Sequence, residues 1–160
     1  MSLCAIITAR MTRRSLLAIF PVMFVAASRV ARAQQTATVY KDPTCGCCSK
    51  WVELLRKDGF AVTVNDVRDI AAVKDKYGVP QALRSCHTAL INGYVVEGHV
   101  PLADLTRILK EKTAVAGLAV PGMPIGSPGM EVAGVNPQPY DVIAFGKDGK
   151  SHVFTSHRGA

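Results

Sequence analysis

The stretch Thr44–Trp51, TCGCCSKW, places three thiols within four residues. Cys45 and Cys48 have the C-x-x-C spacing of a thiol–disulfide redox site, in which one sulfur attacks and the other resolves. Cys45 and Cys47 have the C-x-C spacing of a clamp for a soft metal, and Cys48 follows at once. A dithiol enzyme has no role for Cys47, which would capture the mixed disulfide, and a Cys47–Cys48 bond would close a strained ring. A simple disulfide staple, the plainest alternative, also leaves one sulfur of the three unpaired. Metal ligation uses all of them.

A helix start is a suitable place for such a cluster. Ala37–Lys41 is a short β-branched and aromatic run that ends in the turn signal Asp42-Pro43. SKWVELLRKD then sets Trp51, Leu54 and Leu55 at helical spacing, and Gly59 supplies a stop. The cysteines therefore fall in a strand-to-helix turn, where unpaired N–H groups and the helix dipole favour thiolate. Downstream, Phe60–Val64 reads as a strand and Ile70–Tyr77 as a helix. Thr88–Ile91 and Tyr94–Glu97 read as strands joined by an Asn92-Gly93 hairpin turn, and Pro101 opens a helix to about Lys112. The order β-α-β-α-β-β-α predicts an α/β, thioredoxin-like single domain over residues 37–155. The Gly- and Pro-rich stretch after Thr113 is expected to be irregular. Asp141–Phe145 and Ser151–Thr155 would then form a small C-terminal β-hairpin that folds back on the domain.

In that layout the helix-start cysteines face the turn before the third strand. A proline usually stands there, shaping the substrate groove and keeping metals out; this sequence has Ser85, Cys86 and His87 instead. Cys86, with His87 beside it, would join Cys45, Cys47 and Cys48. Thiolates suit copper(I) or tetrahedral zinc. Met123 and Met130, in PGMPIGSPGM, favour copper(I), because a thioether is a poor zinc ligand and the loop offers methionine little apolar surface to fill. His99 reads as a surface turn residue, and His152 and His157 as part of a solvated tail.

Charge points away from nucleic acid. The formal net charge is +7, but residues 1–33 hold five arginines and no acid, which leaves 14 basic against 12 acidic residues in the rest. Such a near-neutral body has little grip on a phosphate backbone. Residues 1–33 instead have the layout of an export signal: Arg13-Arg14, the 12-residue apolar run Leu16–Ala27, and Ala31-Arg32-Ala33 as a cleavage site. The run is too short to span a bilayer, so no stable membrane insertion is expected after cleavage. TRRSLL resembles a twin-arginine signal, and Met11 is a candidate start. Cleavage would remove Cys4 and leave four cysteines in an oxidising periplasm, where a bound soft metal would keep them from pairing.

DPTCGCCSKW, VPQALRSCHTA, INGYVVEGHVP, AVPGMPIGSPGME and YDVIAFGKDGKSHVF, in this order, resemble the periplasmic CopG-like family of bacterial copper and metal resistance loci. Many members of that family are described only as a domain of unknown function. The resemblance runs from about Ala37 to Phe154. It implies a thioredoxin-like fold and copper binding through Cys45, Cys47, Cys48 and Cys86, with the methionine loop nearby. The expected function is an exported protein that sequesters copper(I) or transfers it to or from a periplasmic partner, with copper redox activity a further option. Two alternatives stay open: a periplasmic thiol–disulfide oxidoreductase with Cys45 and Cys48 as its catalytic pair, and a zinc-stabilised structural module.

Overall fold

The computed structural model describes residues 34–158. The expected export segment 1–33 lies outside them. Seven strands and three α-helices alternate as β1 (Thr36–Lys41), α1 (Gly46–Lys57), β2 (Ala61–Asp66), α2 (Ile70–Lys76), β3 (His87–Ile91), β4 (Tyr94–Glu97), α3 (Leu102–Glu111), β5 (Gly117–Ala119), β6 (Tyr140–Phe145) and β7 (Ser151–His157). All seven strands join one mixed sheet in the order β2-β1-β3-β4-β5-β6-β7. β1 and β2 run parallel, and β3 and β4 form the antiparallel hairpin that Asn92-Gly93 signals. This is the mixed α/β domain that the sequence predicts.

Two cores flank the sheet. On one face Trp51, Val52 and Leu55 of α1 and Leu105 and Ile108 of α3 pack with Val39, Ala89, Ile91 and Val96. On the other, Val79, Val95, Ala119 and Phe145 cluster with Tyr77 and Leu83 near the end of α2. Trp51 is wholly buried and its indole N–H donates to the Val100 carbonyl at 3.0 Å, which ties the first turns of α1 to the chain entering α3.

The C-terminal region differs from its expectation in two ways. Residues 117–119, within the stretch expected to be irregular, form β5, which pairs parallel with β4 and antiparallel with β6. Three residues are too few to show a period. Gly117 is needed there because a Cβ would collide with the Val95 carbonyl. The hairpin β6–β7 thereby extends the main sheet. His157, expected in a solvated tail, lies on β7, where its Nε2 is 2.7 Å from Asp104 Oδ2 and its ring stacks on Tyr140. Thr155 donates to the other oxygen of Asp104 at 2.7 Å, so a nearly buried carboxylate of α3 pins the last strand. His152, also on β7, is exposed as expected.

Candidate metal centre

Asp42 builds the turn that carries the first three cysteines. Its carboxylate accepts from the Thr44 amide at 2.8 Å and the Thr44 hydroxyl at 2.5 Å, and these bonds hold the carboxyl below its ordinary range. Its carbonyl accepts from the Cys45 amide at 3.1 Å. Cys45 is then the N-cap of α1, with no side chain capping the helix, and Cys47 and Cys48 lie in its first turn. Cys48 is fully buried, whereas Cys45 and Cys47 are partly exposed. Cys45 and Cys48 are joined as a disulfide, and Cys47 and Cys86 are free thiols. Cys47 Sγ lies 3.4 Å from Cys45 Sγ.

Cys86 arrives from the turn before β3. The four sulfurs of Cys45, Cys47, Cys48 and Cys86 all lie within 4.8 Å of one another, so the two distant turns meet in one pocket. A second group shares Cys86: its sulfur is 3.2 Å from His87 Nδ1 and 3.1 Å from His99 Nε2. Both rings are fully buried, and their centroids stand 5.1 Å apart, edge to face. Burial pushes the Cys86 thiol up to about 12, with the charge of Cys47 adding to the effect. Burial likewise pushes His87 well below the usual imidazole range, helped by His99 and Lys74, and lowers His99 against the opposing pull of the Pro128 carbonyl. Both imidazoles are therefore neutral, the form that ligates metals.

His99 is the residue that sequence reasoning placed wrongly. Rather than occupying a surface turn, it has Nδ1 2.8 Å from the Pro128 carbonyl. A carbonyl only accepts, so Nδ1 carries the proton and Nε2 presents its lone pair to Cys86. That is the tautomer-fixing arrangement of metal-ligating histidines. For His87, Nε2 is buried with no hydrogen-bond partner among the described residues, and the ring lies 4.5 Å from that of Trp51.

The methionine loop reaches this region at two places. Ser85 and Gly122 form a parallel bridge, so Met123 follows its bridge residue just as Cys86 follows Ser85. Met123 is 53% exposed. Further on, Pro128 holds His99, and the α-carbon of Gly129 sits so close to the first turn of α1 that a Cβ would lie 3.2 Å from the Cys47 carbonyl. Met130 is the next residue and is partly buried.

A bend at Gly98 lets one strand serve both faces of the sheet. Glu97 meets Lys74 of α2, while His99 meets His87, whose ring rests on Trp51 of α1. A strictly alternating strand would point residues 97 and 99 to the same side. Gly98 has φ +70°, and a Cβ there would stand 2.6 Å from Ser85 Cβ and 2.7 Å from the Val120 carbonyl. Gly98→Ala is therefore expected to lower stability by about 2–3 kcal/mol through backbone strain and overpacking. Chemical denaturation of the metal-free protein checks this, and a loss under about 0.5 kcal/mol, the range of an ordinary surface substitution, would contradict it.

With the Cys45–Cys48 disulfide reduced, the four sulfurs and two neutral imidazoles make the donor set of a soft-metal site. A family model described as "Protein of unknown function, DUF411" matches residues 83–130, a window that holds Cys86, His87, His99, Met123 and Met130. Two solved structures, both of copper resistance protein copG, are 42% identical to this chain. Form 2 aligns over 78% of this chain and 98% of its own, and form 1 over 79% and 99%, each with a TM-score of 0.73. The chain belongs to the CopG copper resistance family. No curated protein matches it. With family membership in place, the cysteine cluster ties this CopG-like chain to a role in copper resistance.

Proposed function

We propose that this protein is exported and binds copper(I) in the periplasm, sequestering it or passing it to or from a partner. Cys45, Cys47, Cys48 and Cys86 would be the primary ligands, joined by His99 and supplemented by His87, Met123 and Met130. The observation that carries this reading is the meeting of four sulfurs within 4.8 Å, drawn from a helix start and a strand start and backed by a histidine in its ligating tautomer. Thioethers in the adjoining loop favour copper over zinc. Export is supported by the composition of residues 1–33, and among the described residues no helix is long and apolar enough to cross a membrane.

The indole of Trp51, the only tryptophan, reports on loading because its ring lies 4.5 Å from that of His87. Reduced mature protein titrated anaerobically with copper(I) should retain the metal against a moderate chelator, and Trp51 emission should fall in step up to a stoichiometric end point. Retention of zinc but not copper under the same conditions would point to the zinc-stabilised module instead.

One observation favours a second reading. The Cys45–Cys48 disulfide is the oxidised state of a C-x-x-C pair at a helix N-terminus, as a thiol–disulfide oxidoreductase requires. Cys86, with its thiol pushed up to about 12, is a poor attacking group and would have no part in that exchange.

A further inference from the structure

Glu97 and Lys74 form an ion pair almost wholly shielded from water, on the face of the sheet away from Trp51. Glu97 is 0% exposed and Lys74 3%. The Lys74 ammonium donates to Glu97 Oε1 at 2.6 Å and to the Thr88 hydroxyl at 3.1 Å, and Thr88 in turn donates to Glu97 Oε2 at 2.7 Å. Burying two charges is costly, and well-packed apolar residues of similar volume often serve stability as well or better. Fold stability alone thus gives weak reason for this pair.

The remaining contact of Glu97 suggests another reason. Its Oε1 accepts the Ser85 backbone amide at 2.6 Å. Ser85 precedes Cys86, and because β3 begins only at His87, the amide is held by this carboxylate instead of by the β3–β4 ladder. The next two residues continue the grip. The Gly98 amide donates to the His87 carbonyl at 3.0 Å, and His99 Nε2 meets Cys86 Sγ at 3.1 Å. One tripeptide, Glu97-Gly98-His99, therefore holds Ser85, His87 and Cys86.

We infer that Glu97, fixed in place by Lys74 and Thr88, is the positioning residue that sets the Cys86 sulfur against the helix-start cysteines and His99. A charged acceptor with three donors is stronger and less mobile than a neutral one. The copper arm of the test below rests on the proposed copper site, whereas the alkylation arm reads the sulfur's position without metal.

The test replaces the pair by apolar residues, Lys74→Met with Glu97→Leu, in the reduced mature protein. Without metal, Cys86 should alkylate with iodoacetamide at least tenfold faster than in the parent while the Cys47 rate stays put, both followed by peptide mass spectrometry. With metal, copper(I) affinity should fall by roughly 10–100-fold, the usual cost of losing a supporting partner of a ligand. That loss should vanish when the same pair is changed in Cys86→Ser protein, whereas a general loosening of the fold would weaken both backgrounds alike. Parental alkylation and parental affinity in a folded variant would overturn the inference, as would equal losses in the two backgrounds. Should circular dichroism show that the apolar variant does not fold, Lys74→Met with Glu97→Gln decides. It keeps an oxygen for the Ser85 amide but removes the charge and the Lys74 donor that fix it, so faster Cys86 alkylation and weaker copper(I) binding are expected, and parental values in both would overturn the inference. Faster Cys86 alkylation in a protein whose parent binds no copper(I) would uphold the positioning role and end the copper reading.

Discussion

Cys86→Ser is expected to weaken copper(I) binding by more than the roughly 10–100-fold that follows loss of a supporting partner, because it removes a ligand outright. Cys86 is the one sulfur that belongs to both the four-cysteine group and the group with His87 and His99. Serine keeps the size and offers an oxygen that copper(I) does not favour. Binding at Cys86 must also displace a proton, since its thiol is pushed up to about 12. At any pH below that value, copper binding releases this proton, so affinity rises with pH by about tenfold per unit from this sulfur alone. A chelator competition run from pH 6 to 8 should show the parent gaining affinity as pH rises, and the Cys86→Ser slope shallower by one proton. Cys47→Ser, which spares the C-x-x-C pair, should also bind copper weakly. If instead both variants keep parental copper affinity while Cys45→Ser abolishes disulfide reductase turnover, the oxidoreductase reading prevails.

The fold was legible wherever local chemistry dictated it. Asp42-Pro43, Gly59 and Asn92-Gly93 mark turns, and the helical spacing of Trp51, Leu54 and Leu55 marks α1, whose buried face holds Trp51, Val52 and Leu55 while Leu54 is only partly covered. The meeting of Cys86 with the helix-start trio could be expected from the element order. His99 was legible too, though it was misread: the two-residue Asn92-Gly93 turn pairs Ile91 with Tyr94, and counting outward along the hairpin sets Cys86 opposite His99. What hid it was the assumption that a histidine between Gly98 and Pro101 faces water. Contacts that depend on packing left no such trace. Lys74 and Glu97 lie 23 residues apart, and His157 and Asp104 lie 53 apart, with no periodicity linking either pair. β5 is held by its neighbours on both sides, because three residues carry almost no propensity of their own.

Oxidation should also cost the protein most of its copper. The Cys45–Cys48 disulfide consumes two of the four sulfurs and leaves Cys47, Cys86 and His99 as the remaining strong donors. A disulfide sulfur has no anionic charge and is a far weaker ligand than thiolate. Treatment with a small-molecule disulfide transfers two electrons from Cys45 and Cys48, forming the protein disulfide and two small-molecule thiols. Thiol titration of the unfolded mature chain should then count two groups where the reduced protein gives four. In this state copper(I) capacity should drop, and the residual ion should be lost to a chelator that the reduced protein resists; a dithiol reductant should restore both. The same experiment separates the two readings of the C-x-x-C pair. A centre in which all four thiolates share copper cannot hold it equally well with two of them bonded to each other. Equal copper retention before and after oxidation would mean that Cys45 and Cys48 contribute nothing to binding, and their pairing at the start of α1 would then belong to disulfide exchange.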